Sequence, residues 1–226
     1  MDEKESKRTL AAVFVFCFRS VTCDCKHPGA RARNRYQGGP NTYHFQPKDY
    51  KNLVSKEQEI KQFKWTIEAV ANLKVRLKQS QQPGTRLETV VTEWGKAQKV
   101  RYTKTAQGEQ TVLVLTYAAK QTDQGKKSVN LWFEQERDQG YRLTMVDATN
   151  LLDAKEKTSS EKEITTEKEH KGAEFAQLIK KLGNPQRLIW GEVSDGGMGY
   201  RATYQLPGQS EVVMEFKKKA KKLVLV

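Results

Sequence analysis

Residues 84–102, GTRLETVVTEWGKAQKVRY, decide the fold, because their pattern returns at residues 172–190 as GAEFAQLIKKLGNPQRLIW. A glycine opens each stretch and a second glycine, Gly95 or Gly183, closes it eleven residues later. Between the glycines, apolar residues recur at i, i+3, i+4 and i+7, the spacing of one helix face. They are Leu87, Val90, Val91 and Trp94 in the first stretch and Phe175, Leu178, Ile179 and Leu182 in the second. A closing glycine is typical of a helix C-terminus. The sequence therefore predicts one helix in each of two copies.

Four short apolar runs follow each predicted helix. Apolar and polar residues alternate within them, which indicates antiparallel strands with one buried face. The runs are residues 99–103, 111–118, 128–135 and 141–146 in the first copy, and 187–192, 200–206, 211–217 and 221–226 in the second. Their residues match in order: Thr116 with Thr203, Tyr117 with Tyr204, Phe133 with Phe216, and Leu143 with Leu223.

Further helices complete the predicted units. Helical spacing of apolar residues predicts an amphipathic helix over residues 55–72, and Thr85 with Glu88 predicts a capping box at the next helix. Residues 153–171 carry charges of both signs and join the copies, with room for one short helix. The predicted fold class is α+β, with two tandem repeats of helix, helix and four-stranded antiparallel sheet. Together the repeats form one layer of sheet with helices on one face.

The pattern G-T-x(4)-V-x(4)-G before a strand resembles secreted and lipid-anchored bacterial proteins of the β-lactamase-inhibitory-protein-like family. The resemblance covers residues 53–226 and implies a concave eight-stranded sheet that binds a protein. Two features depart from the family. Its repeats contain disulfides, whereas this chain has no cysteine after Cys25, and no stretch matches its enzyme-blocking loops. Inhibition of β-lactamase is therefore not implied.

The first 23 residues resemble an export signal. A basic start precedes the apolar run TLAAVFVFCF, and Cys23 follows in the position of a lipidated cysteine. The alternative is a buried strand or helix of the folded part. Residues 24–50 are rich in glycine, proline and arginine, which predicts a flexible linker. The predicted organisation is thus a signal-like segment at 1–23, a linker at 24–50, a first repeat at 51–152, and a connector with the second repeat at 153–226. It implies the outer surface of a Gram-positive-type cell membrane, or secretion.

Composition favours an anionic partner, because the formal net charge is +13 and the isoelectric point is about 9.6. The partner would be an unknown protein or an anionic envelope polymer, and a cytoplasmic nucleic-acid-binding protein is the alternative. Lysines that merely solvate the sheet would produce the same charge. The sequence contains no nucleophile, phosphate-loop or dinucleotide motif. We therefore expect neither enzymatic activity nor a cofactor. The pair Cys23 and Cys25 is too tightly spaced for a typical zinc site, so no metal is expected.

Successive side chains of a strand point to opposite faces of the sheet, which predicts the strand residues that lie on the face away from the helices. Trp132 among arginines has the composition of a protein-binding hot spot, although it could instead pack on an arginine stem. The predicted ligand-binding face comprises Arg101, Asn130, Trp132, Arg142, Arg187, Arg201 and Glu215.

The lysine-rich residues 217–222, KKKAKK, predict a hairpin turn between the last two strands. Two roles remain open for these lysines. They could bind an anionic surface, or they could protect a sheet edge from aggregation.

Overall fold

The structure is a computed structural model that describes residues 52–56, 63–77, 83–104, 111–119, 125–136, 140–151, 159–206, 210–220 and 222–226. These residues all belong to one compact unit, Asn41–Val226. The predicted export segment, Cys23 and the predicted linker lie outside the described residues, so those assignments remain predictions.

Among the described residues, eight strands form one antiparallel sheet in chain order, which confirms the α+β class. The strands are β1 (Lys99–Lys104), β2 (Thr111–Ala118), β3 (Ser128–Glu136), β4 (Gly140–Thr149), β5 (Arg187–Glu192), β6 (Met198–Gln205), β7 (Glu211–Lys219) and β8 (Lys222–Leu225). The helices are α1 (Ile67–Asn72), α2 (Leu87–Trp94), α3 (Glu161–Lys168) and α4 (Phe175–Leu182). Two helices thus precede each group of four strands.

One apolar core lies between the helices and the sheet, and it contains residues from all four helices. We call the sheet surface that faces this core the inner face, and the opposite surface the outer face. Period two correctly predicts most inner-face residues, including Leu131, Phe133 and Phe216, each at 0% exposure. Tyr102 is an exception, because it is 40% exposed on the edge strand β1. An edge strand has a neighbouring strand on one side only, so its side chains are less well covered.

Two predicted helix starts are wrong. The predicted start at residue 55 is replaced by a start at Ile67, where the Thr66 hydroxyl accepts a hydrogen bond from Ala69 N at 3.2 Å. Within the predicted range, the described residues 55, 56 and 63–66 are not helical. Thr85 does not cap α2, which begins at Leu87. Its hydroxyl instead accepts a hydrogen bond from Lys74 N at 2.9 Å. Thr85 therefore holds the chain entering α2 against the segment that follows α1.

The closing glycines behave as predicted, and each is also bound by a tyrosine from the sheet. Gly95 and Gly183 end α2 and α4 with φ of 78° and 83°. The Tyr117 hydroxyl donates to Gly95 O at 2.9 Å, and the Tyr204 hydroxyl donates to Gly183 O at 3.4 Å. Both tyrosines are buried on the inner face. Each joins the end of a helix to the second strand of its half of the sheet, which is β2 for Tyr117 and β6 for Tyr204.

Replacing Tyr117 with phenylalanine should lower the free energy of unfolding by about 1 kcal/mol, because Gly95 O then loses a hydrogen bond in the core. The matched change Tyr204→Phe should cost less, since its bond to Gly183 O is longer. Urea denaturation of both variants measures the difference. Equal stability of Tyr117→Phe and wild type would contradict the importance of this bond.

The strand register corrects one predicted match between the two halves. Leu143 lies opposite Phe133, whereas Phe216 lies opposite Leu225 rather than Leu223. Leu143 N donates to Thr85 O at 2.9 Å, and Leu225 N donates to Ala173 O at 2.9 Å. The structural counterpart of Leu143 is therefore Leu225. The sequence comparison therefore placed the counterpart of Leu143 two residues too early in the chain.

The connector contains the expected short helix, α3, with a complete capping box between Ser160 and Glu163. Its buried Glu167 accepts a hydrogen bond from Lys181 on α4, and His170 Nδ1 lies 3.5 Å from the same carboxylate. The hydrogen bond from Lys181 holds the Glu167 pKa below its usual value, against the opposing effect of burial. This contact joins α3 to α4.

The lowered pKa of Glu167 predicts a stability contribution that depends on pH. Because the folded-state pKa lies below the unfolded one, the contribution is present above the unfolded pKa, about 4.3, and is lost as pH falls through the folded pKa. Glu167→Gln should therefore lower stability at pH 7 by about 1 kcal/mol or less, since Lys181 is largely exposed. The difference from wild type should shrink toward pH 3 in urea denaturation. A difference that stays constant over this range would contradict the assignment.

The β7–β8 connection confirms the predicted hairpin, because Lys219 pairs with Lys222 and Ala220 adopts φ of 54°. Lys217 pairs with Asp195 at 2.6 Å and Lys222 pairs with Glu174, while Lys218 and Lys219 are exposed. The role of these lysines remains a prediction. Within the described residues, no helix is both long and apolar enough to cross a membrane.

Candidate binding face

The outer face brings the predicted binding residues into a few rows of cross-strand neighbours. In one row, Arg101 pairs with Val114, Val114 with Trp132, and Trp132 with Met145. A second row runs across more strands through Asn130, Asp147, Ile189, Arg201 and Glu215. Arg187 lies in a third row, between Thr149 and Thr203. The outer face therefore combines residues from both halves of the chain on one surface.

Arg101 and Trp132 lie in the same row, on either side of the buried Val114. Arg101 is exposed and forms no ion pair with any described residue, whereas Trp132 is half-buried. Asn130 is also half-buried and accepts a hydrogen bond from Thr116 Oγ1 at 2.8 Å. An exposed cation near a half-buried aromatic ring can contact both polar and apolar groups of a partner.

The outer face carries more apolar side chains than a simple alternation of apolar and polar residues predicts. Val114 is 3% exposed although it points away from the helices, and it is not part of the main core. Met145, Ile189 and Val213 are half-buried on the same face. The sequence did contain a signal for them, since β2 (TVLVLTYA) is apolar at both alternating positions. Such a run is typical of a strand covered on both faces.

Two of the predicted arginines are already paired with carboxylates of the chain. Arg187 donates to both oxygens of Asp147, from Nε at 2.9 Å and from Nη2 at 2.7 Å. Arg201 Nε lies 3.4 Å from Glu215 Oε1. The hydrogen bond to Asp147 raises the Arg187 pKa. Burial would raise the Glu215 pKa, but hydrogen bonds from Ser194 and the charge of Arg201 lower it overall. Arg187 and Glu215 are therefore both charged at neutral pH.

Arg142 occupies an outer-face position beside Glu134, but its side chain is only 8% exposed. Nη1 donates to Gly84 O at 3.4 Å, and Nε lies 3.4 Å from Glu136 without the geometry of a hydrogen bond. Glu136 also pairs with Arg76 at 3.1 Å. These contacts connect β3 and β4 to the segments that flank α1 and α2. Arg142 is therefore a buried structural residue and is not available on the predicted ligand-binding face.

The described residues contain no group of three or more histidine, cysteine, aspartate or glutamate side chains arranged to hold a metal ion. Two carboxylates of the outer face, Asp147 and Glu215, are paired with arginines. The arrangement therefore provides paired charges and apolar surface, which suit binding to a protein.

Comparison with known proteins yields one solved structure and no family. No family model matches the chain, and no curated protein matches it either. The chain is similar to a solved Streptococcus mutans protein named "putative beta-lactamase inhibitor protein". The two sequences are 18% identical, and the TM-score is 0.44. The match covers 69% of this chain and 90% of the other.

Proposed function

We propose that this chain is a non-enzymatic binding module that holds a protein partner on its outer face. The observation that carries the proposal is the row of Arg101, Val114, Trp132 and Met145, in which an exposed cation is followed by apolar side chains. Trp132 and Met145 are half-buried although the helices lie on the opposite face. Aromatic residues, methionine and arginine are enriched in protein interfaces relative to the rest of a protein surface.

We also propose that the module is a tandem duplication. Supporting this, the bond from Tyr117 to Gly95 recurs between Tyr204 and Gly183. The backbone bond from Leu143 to Thr85 likewise recurs between Leu225 and Ala173. Two related units side by side would give an eight-stranded surface wide enough for a protein.

Nucleic acid is the less favoured partner. Phosphate binding requires lysine or arginine side chains that are free to neutralise the backbone. On the outer face, Arg187 and Arg201 are paired with Asp147 and Glu215, and Arg142 is buried. A net charge of +13 nevertheless suits an acidic protein or an anionic envelope polymer.

Site-specific photo-crosslinking tests the proposed face and identifies the partner at once. Trp132 is replaced by p-benzoyl-phenylalanine in the full chain, expressed in its own host, and Gln177 is replaced in a second strain. Gln177 is exposed on α4, on the other side of the molecule. A discrete adduct formed from position 132 and absent from position 177 supports the proposal. Adducts formed equally from both positions would refute it.

We further propose that the protein is exported and anchored through lipidated Cys23 on the surface of a Gram-positive-type cell. The proposal rests on the basic start and the apolar run before this cysteine. Mass spectrometry of protein purified from its own host should reveal loss of the residues before Cys23 and a lipid on its sulfur. Recovery of the chain with Met1 intact would contradict export by this route.

A further inference from the structure

Equivalent positions of the outer face carry different side chains in the two halves of the sheet. Under the proposed duplication, Tyr117 on β2 and Tyr204 on β6 are equivalent, since each donates to the glycine that ends a helix. The residue three positions earlier is Val114 in the first half and Arg201 in the second. Both lie on the outer face, so their surroundings can be compared directly.

The cross-strand neighbours of these two residues differ in the same way. Val114 is paired with Trp132 and is 3% exposed. Arg201 is paired with Glu215, and the two side chains form an ion pair with a distance of 3.4 Å. The sheet therefore accommodates a charged pair at this place, as a face in contact with water normally would. The fold does not require an apolar pair there, so Val114 and Trp132 need an explanation from outside the fold.

Unpaired positive charge lies beside the apolar pair. Lys99 and Arg101 are two residues apart on β1, so both side chains point to the outer face. Both are exposed, and neither forms an ion pair with any described residue. Arg101 is also the cross-strand neighbour of Val114. The other described arginines of the outer face are buried or paired with carboxylates. Charge complementarity therefore favours an acidic group at this end of the row.

We propose that Val114 and Trp132 form the anchor site for one acidic segment of the partner protein. The segment places an apolar side chain on this pair and an adjacent carboxylate on Arg101. This inference rests on the proposed function and the proposed duplication, and it specifies the chemistry of the partner. A buried apolar anchor supplies much of the affinity at a protein interface, whereas charges at its edge select the partner.

The aromatic anion 8-anilinonaphthalene-1-sulfonate is a suitable probe of the full chain, because it combines apolar rings with a negative charge. The double variant Val114→Arg, Trp132→Glu copies the second-half pair and should bind the probe several-fold more weakly in a fluorescence titration. Arg101→Gln should weaken probe binding about two- to fivefold, as expected for an exposed charge pair. Wild-type affinity in either variant would overturn the proposal.

The converse substitutions should create a second anchor site. Ile189 is the second-half counterpart of Arg101, because it is paired with Arg201 across the strands. The triple variant Ile189→Arg, Arg201→Val, Glu215→Trp should therefore bind one more probe molecule than wild type does. Isothermal titration calorimetry measures this stoichiometry. A folded triple variant with the stoichiometry of wild type would contradict the proposed anchor.

Urea denaturation tests whether the fold itself requires the apolar pair. The double variant Val114→Arg, Trp132→Glu should unfold near the urea concentration of wild type, since the second half already accommodates these side chains. A clearly lower midpoint would mean that the fold needs Val114 and Trp132, and would overturn the inference.

The cross-linked partner separates failure of the anchor from failure of the outer face. If Arg101→Gln binds it as wild type does while Trp132→Ala binds weakly, the acidic segment is wrong and the proposed face stands. An adduct between two copies of this chain would have the same meaning. If the double variant also binds the partner as wild type does, the proposed function fails as well.

Discussion

Replacing Gly84 with alanine is expected to lower the free energy of unfolding by about 3 kcal/mol, at the upper end of the cost of overpacking a core. A Cβ at this position would lie 2.4 Å from Leu143 O and 3.0 Å from Arg76 Cβ. The carbonyl cannot easily retreat, because it accepts a hydrogen bond from Arg76 N at 2.8 Å. Relief of the clash would therefore separate the chain before α2 from β4. Urea denaturation followed by circular dichroism measures the loss.

Gly172 is the matched control, because it occupies the corresponding place before α4. No described atom lies within 4 Å of its Cβ position, but its φ is +88°. Gly172→Ala should therefore cost only about 1 kcal/mol, the penalty for a Cβ in the left-handed region. Equal losses for the two alanine variants would show that the close approach at Gly84 costs no more than a Cβ in the left-handed region at Gly172, and would contradict the prediction.

Replacing Trp132 with alanine is expected to weaken binding of the cross-linked partner by about 2 kcal/mol or more, roughly 30-fold, as at an interface hot spot. The indole is half-buried on the outer face between Val114 and Met145. Trp132 is not part of the main core. Its truncation therefore removes apolar area from the proposed contact and leaves no cavity in that core. Isothermal titration calorimetry with the purified partner measures the change in affinity.

Tyr102→Ala provides the control for Trp132→Ala, because it removes an exposed aromatic ring from the inner-face side of β1. Its affinity for the partner should equal that of wild type. Arg201→Ala should also weaken binding, since the Arg201 side chain is half exposed on β6, in the second half of the outer face. If Trp132→Ala and Arg201→Ala are folded and both retain wild-type affinity, the outer face is not the binding site.

Much of the fold was predictable from local sequence patterns. The closing glycines Gly95 and Gly183 mark the ends of α2 and α4, and alternation of apolar residues predicts all eight strands to within a few residues. These signals are local because helix and strand periods, together with the conformational freedom of glycine, act within a few residues of the chain. The inner-face residues followed from the same alternation, as Phe133 and Phe216 illustrate.

The remaining features depend on contacts between residues that are distant in the chain. The hydroxyl of Thr85 binds Lys74 N instead of capping α2, and the side chain of Arg142 is buried against Gly84 and Glu136. Both outcomes depend on how β4 packs against the segments before α2. The spacing of apolar residues along the chain contains no information about this packing.

The candidate binding face also has some features that the sequence predicts and others that only the tertiary structure determines. Sequence alternation alone assigned Arg101 and Trp132 to the face opposite the helices. Only the tertiary structure decided that Arg187 and Arg201 would be paired with Asp147 and Glu215. Strand register is the physical reason, because it brings together charges and apolar groups from strands far apart in sequence.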